Sequence, residues 1–341
     1  MAVVTVGELG ERQLLERLRA RLVGVGGPSD GLQIGIGDDA AVVKPGRGLS
    51  TVLTTDALVE GVHFERRFSD PEAIGARALA VNLSDLAAMG ARPRWVLLSL
   101  VLPDAIHVDE VERLASGLAR AAEDAKVAVV GGNLTRTVGP LVVDITAIGE
   151  IHARRTLTRS GGRPGDELYV SGMIGAAAAG LEMLRAGAGM RDAGCVDRYL
   201  RPEARVRLGR AVGQARAARA AMDLSDGLAD ALRQMGEASG CGVEIDADAL
   251  PIDPAACQWW LSRGEDPVAR ALSGGDDYEL LLAVPRAWRG RLRQARLRVA
   301  EPALTRIGTL TRDAAMRVMR RNGRREELPG GYEHFSVNAH S

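Results

Sequence analysis

Leucines recur at helical spacing across residues 8–23 (ELGERQLLERLRARLV), with charges between them, and this predicts an amphipathic helix. Gly26-Gly27-Pro28 breaks it. Residues 32–43 predict two short strands around a Gly-Asp-Asp turn, and the β-branched run 51–56 predicts a strand ending in Asp56. A helix follows over 71–90, with Gly90 placed as its C-terminal stop. The apolar run 95–102 reads as a strand stopped by Pro103. Next come a helix over 108–125, a strand over 127–130, a turn at Gly131-Gly132-Asn133 and a strand over 141–150.

Residues 152–166 are rich in Arg, Thr, Ser, Gly and Pro and read as a linker or a long functional loop. Beyond it the pattern predicts a strand at 167–171 and helices at 175–187 and near 203–219. A turn at 223–226, a helix at 228–239, a strand at 243–246, a loop at 251–254 and a strand at 279–284 follow, before a final α+β stretch. Strands and helices mix in both halves, so an α/β or α+β fold is expected, in two domains spanning 1–151 and 152–341.

Composition narrows the function classes. The chain of 341 residues is 46% hydrophobic and 26% charged, with a formal net charge of zero. A general nucleic-acid binder would show a basic excess, and with 3% aromatic content a run of aromatic platforms for stacked bases is not expected. Nearly every basic residue is arginine; Lys44 and Lys126 are the lysines. Three cysteines without a C-x-x-C pair argue against a disulfide framework. No basic-then-apolar leader opens the sequence and no apolar run approaches the ~18 residues of a membrane span, so a cytoplasmic protein is expected.

The candidate chemistry lies in the acids. Asp38 and Asp39 follow Gly37; Asp56 follows Thr54 and Thr55; Asp85 sits in Asn82-Leu83-Ser84-Asp85; Asp223 and Asp226 lie in D-L-S-D-G; Asp276 and Asp277 follow Ser273-Gly274-Gly275. Their neighbours are apolar or glycine, not solvated charge runs. Each alone has a structural reading as turn or capping chemistry, with Ser225 or Asp226 as the N-cap of the helix at 228–239. If several of them converge in the fold, a cation must sit among them. Two carboxylates ~4 Å apart repel by roughly 4 kcal/mol at an effective dielectric of 20. Hard oxygen ligands point to Mg²⁺ or Mn²⁺. The five histidines are too scattered for a zinc site. No G-x-x-x-x-G-K-[ST] cradle is present, so phosphates would rest on metal bridges, backbone amides and arginines such as Arg159.

The blocks G-I-G-D-D-A (35–40), T-T-D-A-L-V-E-G-V-H-F (54–64), A-V-N-L-S-D-L-A-A-M-G-A (80–91), L-T-R-S-G (157–161), D-L-S-D-G-L (223–228) and S-G-G-D-D-Y-E-L (273–280) resemble the thiamine-monophosphate kinase family. The resemblance implies the aminoimidazole-ribonucleotide-synthetase superfamily fold. In that fold an N-terminal sheet pairs with a second subunit into a barrel within a homodimer, a C-terminal α/β domain follows, and ATP binds at the cleft. The implied reaction moves the γ-phosphoryl of ATP onto thiamine monophosphate, using several Mg²⁺ ions and neither nucleic acid nor membrane. Carried over by motif, Asp39, Thr54, Thr55, Asp56, Asp85, Asp223 and Asp226 would bind magnesium. Gly132, Arg159 and Ser225 would contact ATP, and His63, Asp276 and Tyr332 would line the thiamine phosphate site.

One position departs from the pattern. The family's Gly-Gly-Asp reads Gly131-Gly132-Asn133 here. Asn133 keeps an acceptor oxygen and loses the charge, so one metal site is expected to be weaker. The alternatives are a non-catalytic nucleotide-binding relative and another ATP-dependent enzyme of the superfamily. A selenophosphate synthetase would want a reactive cysteine near the N-terminus, and the first cysteine here is Cys195.

Overall fold

The computed structural model describes residues 4–26, 31–36, 40–187, 193–299 and 302–330. The chain divides into two compact units, one of residues 1–86 and 91–154, the other of Ala87–Gly90 and 155–341. Asp38, Asp39 and Tyr332 lie outside the described residues.

In the first unit the N-terminal helix expected over 8–23 is split into α1 (Val6–Leu9) and α2 (Glu11–Leu22) at Gly10, whose φ of 81° is outside the helical range. Thr5 and Glu8 close a capping box on α1. Then follow β1 (Leu32–Ile34), β2 (Val42–Val43), β3 (Ser50–Val59), α3 (Pro71–Ala88), β4 (Arg92–Pro103), α4 (Val108–Ala125), β5 (Ala128–Thr137) and β6 (Val142–Ile151). The hairpin β1–β2 is antiparallel. The larger sheet runs β3-β6-β4-β5, with β4 and β5 parallel and the other neighbours antiparallel.

Two strand boundaries differ from the pattern reading. Asp56 does not end its strand: β3 pairs with β6 without a break from Ser50↔Ile151 to Val59↔Val142, and cross-strand pairing carries it past the acidic residue. Nor is Gly131-Gly132-Asn133 a turn. These residues continue β5 and pair with Leu97, Leu98 and Ser99 of β4. A Cβ on Gly132 would lie 1.8 Å from the Leu98 carbonyl oxygen, so here glycine is what allows the strands to approach.

The sheet has two unlike faces. Val143, Ile145, Ala147 and Gly149 of β6 face α3; a Cβ on Gly149 would sit 3.2 Å from Leu86 Cδ2. On the other face Trp95, Ala128 and Val130 pack against Leu32, Ala41 and Val43 of the β1–β2 hairpin. Beside that cluster the face is open and holds a cavity of about 500 Å³.

The second unit contains β7 (Glu167–Ser171), α5 (Ala176–Arg185), α6 (Ala193–Leu200), α7 (Val206–Ala215), β8 (Ala220–Asp223), α8 (Leu228–Ser239), β9 (Gly242–Asp246), α9 (Pro254–Leu261), α10 (Pro267–Ser273), β10 (Leu280–Val284), α11 (Arg289–Leu297), β11 (Leu304–Thr311), β12 (Met316–Met319) and β13 (Arg325–Glu327). The sheet order is β13-β12-β9-β11-β7-β10-β8, antiparallel except for β12 beside β9. One core lies around Leu168, Leu232, Trp260 and Leu281, and the other around Leu208, Val212, Leu280 and Leu282. Ala87 and Ala88 join the latter, where a Cβ on Gly209 of α7 would be 1.9 Å from the Ala87 carbonyl oxygen. No helix among the described residues is long and apolar enough to cross a membrane.

Candidate active site

Two short motifs meet in the first unit because their periods match. Thr54 and Asp56 are two apart on β3 and so share a face; Asn82 and Asp85 are three apart on α3 and share a helix face. Thr54 Oγ1 donates to Asp85 Oδ2 at 2.5 Å, a charge-assisted bond that aims the carboxylate. Fully buried Asn82 holds the Asp56 backbone from both sides. Its Oδ1 accepts the Asp56 N–H at 3.0 Å, and its Nδ2 donates to the Asp56 carbonyl at 3.3 Å and to Ala78 O at 3.0 Å. Asp85 is half-buried and Asp56 exposed. His63 lies in the turn after β3, where Nδ1 accepts the Val59 N–H at 3.1 Å.

Adjacent residues of a strand point to opposite faces. Thr55 therefore leaves Thr54 and Asp56 and joins the helix-free face, where its hydroxyl donates to Asp144 Oδ1 at 3.0 Å. Asn133 lies on that face too, with Ser99 and Asp144, and all three line the cavity. The magnesium candidates of this unit thus form two sets: Thr54, Asp56 and Asp85 toward α3, and Thr55 and Asn133 on the other side. Asp144 carried no motif. Its sequence signal is an acid inside an otherwise strand-like Val-Val-Asp-Ile-Thr, where aspartate is disfavoured.

In the second unit, β8 ends on Asp223, which is 3% exposed. Ser225 and Asp226 follow, half-buried. Neither caps α8: its N-cap is Gly227, φ 97°, without a side-chain bond. The D-L-S-D-G turn is instead tied to the loop at 273–279. Asp276 N–H donates to Ser225 O at 2.7 Å, Tyr278 N–H to Leu224 O at 2.9 Å, and Leu224 N–H to Glu279 O at 2.9 Å. A Cβ on Gly227 would be 2.7 Å from Gly274 O, so the two loops touch at glycine.

That loop is strained. Asp276 (φ 68°) and Tyr278 (φ 50°) occupy left-handed backbone, and such outliers persist where surroundings over-determine them. Tyr278 Oη donates to Asp276 Oδ1 at 3.1 Å. Between them Asp277 is buried, and both its oxygens accept the Gly175 N–H at 2.9 Å. Burial pushes its carboxyl well above the ordinary range, against the lowering effect of that amide. Glu279, fully buried, anchors the end of the loop through Arg198 and Arg205. Arg159 is exposed, and its Nη1 donates to Gln234 Oε1 of α8 at 2.7 Å.

Among the described residues no three His, Cys, Asp or Glu side chains are arranged to hold a metal ion by themselves. The donors present in each unit are carboxylate, hydroxyl and amide oxygens, a chemistry that suits a hard cation completed by water and phosphate oxygens.

Residues 37–151 match the N-terminal domain of AIR synthase related proteins and residues 163–320 the C-terminal domain. The chain is 40% identical over 316 residues to thiamine-monophosphate kinase of Escherichia coli K12, covering 90% of this chain and 93% of that one. It is similar to the crystal structure of thiamine-monophosphate kinase from Stenotrophomonas maltophilia K279a (TM-score 0.79, 37% identity, 93% of this chain and 96% of that one). It is also similar to AaThiL complexed with AMPPCP and TMP (TM-score 0.75, 33% identity, 98% of this chain and 100% of that one). With both domains matched in order and sequence identity sustained along nearly the whole length, this chain belongs to the thiamine-monophosphate kinase family.

Proposed function

We propose that this chain transfers the γ-phosphoryl group of ATP to the phosphate of thiamine monophosphate, giving thiamine diphosphate and ADP. The observation that carries this reading is the meshing of T-T-D with N-L-S-D, in which Thr54 aims Asp85 and Asn82 clamps the backbone of Asp56. So much hydrogen bonding spent on orienting two acids fits a site that positions charged phosphates. Thr54, Asp56 and Asp85 in the first unit, and Asp223 and Asp226 in the second, would hold Mg²⁺, with Asp39, Thr55 and Asn133 as further ligands. Bound there, magnesium would neutralise phosphate charge.

The chain's own groups do the positioning. Arg159, Gly132 and Ser225 contact ATP; His63, Asp276 and Tyr332 contact thiamine monophosphate. The acceptor is already an anionic phosphate, so the reaction asks for alignment of two polyanions and for no strong general base. Direct in-line transfer follows, with no covalent intermediate on the protein. The working form is a cytoplasmic homodimer whose second copy covers the helix-free sheet face. The 66% exposure of Leu53 on that sheet supports such a cover.

The test is a phosphate-transfer assay with ATP, Mg²⁺ and thiamine monophosphate, run on the wild type and on Asp56→Asn. Thiamine diphosphate should form and the variant should lose at least about a hundredfold in kcat/KM, or ~2.7 kcal/mol of transition-state stabilisation. ATP binding without any thiamine diphosphate would instead favour a non-catalytic nucleotide binder.

A further inference from the structure

The helix-free face of the first unit's sheet carries a polar row of which Asn133 alone belongs to a motif. Asp144 of β6 pairs with Ser99 of β4, and Ser99 pairs with Asn133 of β5. Residues in register across a sheet share a face, and all three line the cavity of about 500 Å³. Asp144 is the only ionisable side chain among the described residues of that lining. It is half-buried, accepts the Thr55 hydroxyl at 3.0 Å, and has no arginine or lysine partner among the described residues. A carboxylate facing a partly enclosed cavity without a counter-charge is costly. Ile36 and Ala40 line the same cavity.

Asn133 is also where this chain lacks the acid of its family's Gly-Gly-Asp. We propose that Asp144 supplies that missing charge, and that Asp144, Ser99 and Asn133 together take a divalent cation of the metal–nucleotide complex. The proposal rests on the kinase reading above. Two strand spacings, about 10 Å, separate the backbones of Asp144 and Asn133. Mg²⁺ keeps several of its waters and needs only one or two carboxylates besides phosphate oxygens, so the row need not close on a bare ion. Thr55 then has a role apart from Thr54: its hydroxyl orients the Asp144 carboxylate.

The test is a charge relocation read by metal binding. Mn²⁺ is titrated into the wild type, Asp144→Asn, Asn133→Asp and the double variant Asn133→Asp/Asp144→Asn, each with AMPPCP, and free Mn²⁺ is followed by electron paramagnetic resonance. Asp144→Asn should weaken one Mn²⁺ by ~10–100-fold, and the double variant should regain most of that loss. Asn133→Asp alone should tighten the same ion without raising the number bound, and this arm holds even if Asp144→Asn fails to fold. Unchanged Mn²⁺ binding in Asp144→Asn, a double variant as weak as Asp144→Asn, or an additional ion in Asn133→Asp overturns the proposal. Failure of the kinase reading looks different: wild type that binds Mn²⁺ and AMPPCP with the Asp144 dependence intact, yet makes no thiamine diphosphate.

Discussion

Arg205→Met probes how the second unit holds its strained loop. Glu279 has no accessible side-chain surface and receives Ser171 Oγ at 2.5 Å, Arg198 Nη2 at 2.8 Å, Arg205 Nε at 2.7 Å and Arg205 Nη2 at 2.5 Å. Burial alone disfavours a charged Arg205. The hydrogen bonds and charge of Glu279 outweigh it and hold the guanidinium above its ordinary pKa. Methionine keeps an apolar stem of similar length and removes two of the four donors. Removing one partner of a buried ion pair costs ~3–5 kcal/mol. Arg198 and Ser171 remain, so the lower end applies, about 3 kcal/mol. In a unit of this size each kcal/mol moves Tm by ~2–4 °C, which gives a fall of about 6–12 °C. The slackening also reaches the candidate site, because the Glu279 carbonyl accepts the Leu224 N–H beside Asp223. Turnover measured well below the melting transition should therefore fall as well. Urea denaturation and scanning calorimetry measure the stability change; the double variant Glu279→Met/Arg205→Met, which strands no buried carboxylate, should recover part of it. A cost below about 1 kcal/mol, the range of an exposed ion pair, would refute this account of the cluster.

Thr54→Val removes the hydroxyl that aims Asp85 while keeping a β-branched strand residue. A hydrogen bond to a charged group is worth ~1.5–3 kcal/mol, so kcat/KM, measured well below the melting transition, should drop ~10–100-fold; activity within a factor of about two of wild type would remove Thr54 from the site. Asp277→Asn tests the buried carboxyl. Its folded pKa is raised, so the stability tied to its protonated form is complete below about pH 4 and is lost as pH rises through the raised value. The difference in urea midpoint between Asp277→Asn and wild type should therefore move in favour of the variant as pH increases, and a difference independent of pH would show that Asp277 does not titrate in this way.

The candidate ligands stand out in the sequence as motifs, and most elements as local periodicity. The helices over 108–125 and 228–239 coincide with α4 and α8, because an amphipathic stripe and its end signals are contained within the segment itself. The spacings of T-T-D and N-L-S-D also imply which of their residues share a face. The pairing of those two faces was not legible. It depends on β3 lying beside α3, a contact between segments distant in sequence.

Strand ends are hidden from the sequence for the same reason. Asp56 and Gly131-Gly132-Asn133 look like punctuation in one dimension, yet β6 and β4 supply partners that carry both strands onward. Residue type and spacing single out candidate ligands for a hard cation and the short segments that carry them. The period of two already parts Thr55 from Thr54 and Asp56; the fold adds that Asn133 and Asp144 lie on Thr55's side of the sheet. Side-chain direction in a sheet follows a period of two from whatever register the neighbouring strands impose, and that register is written in residues far along the chain.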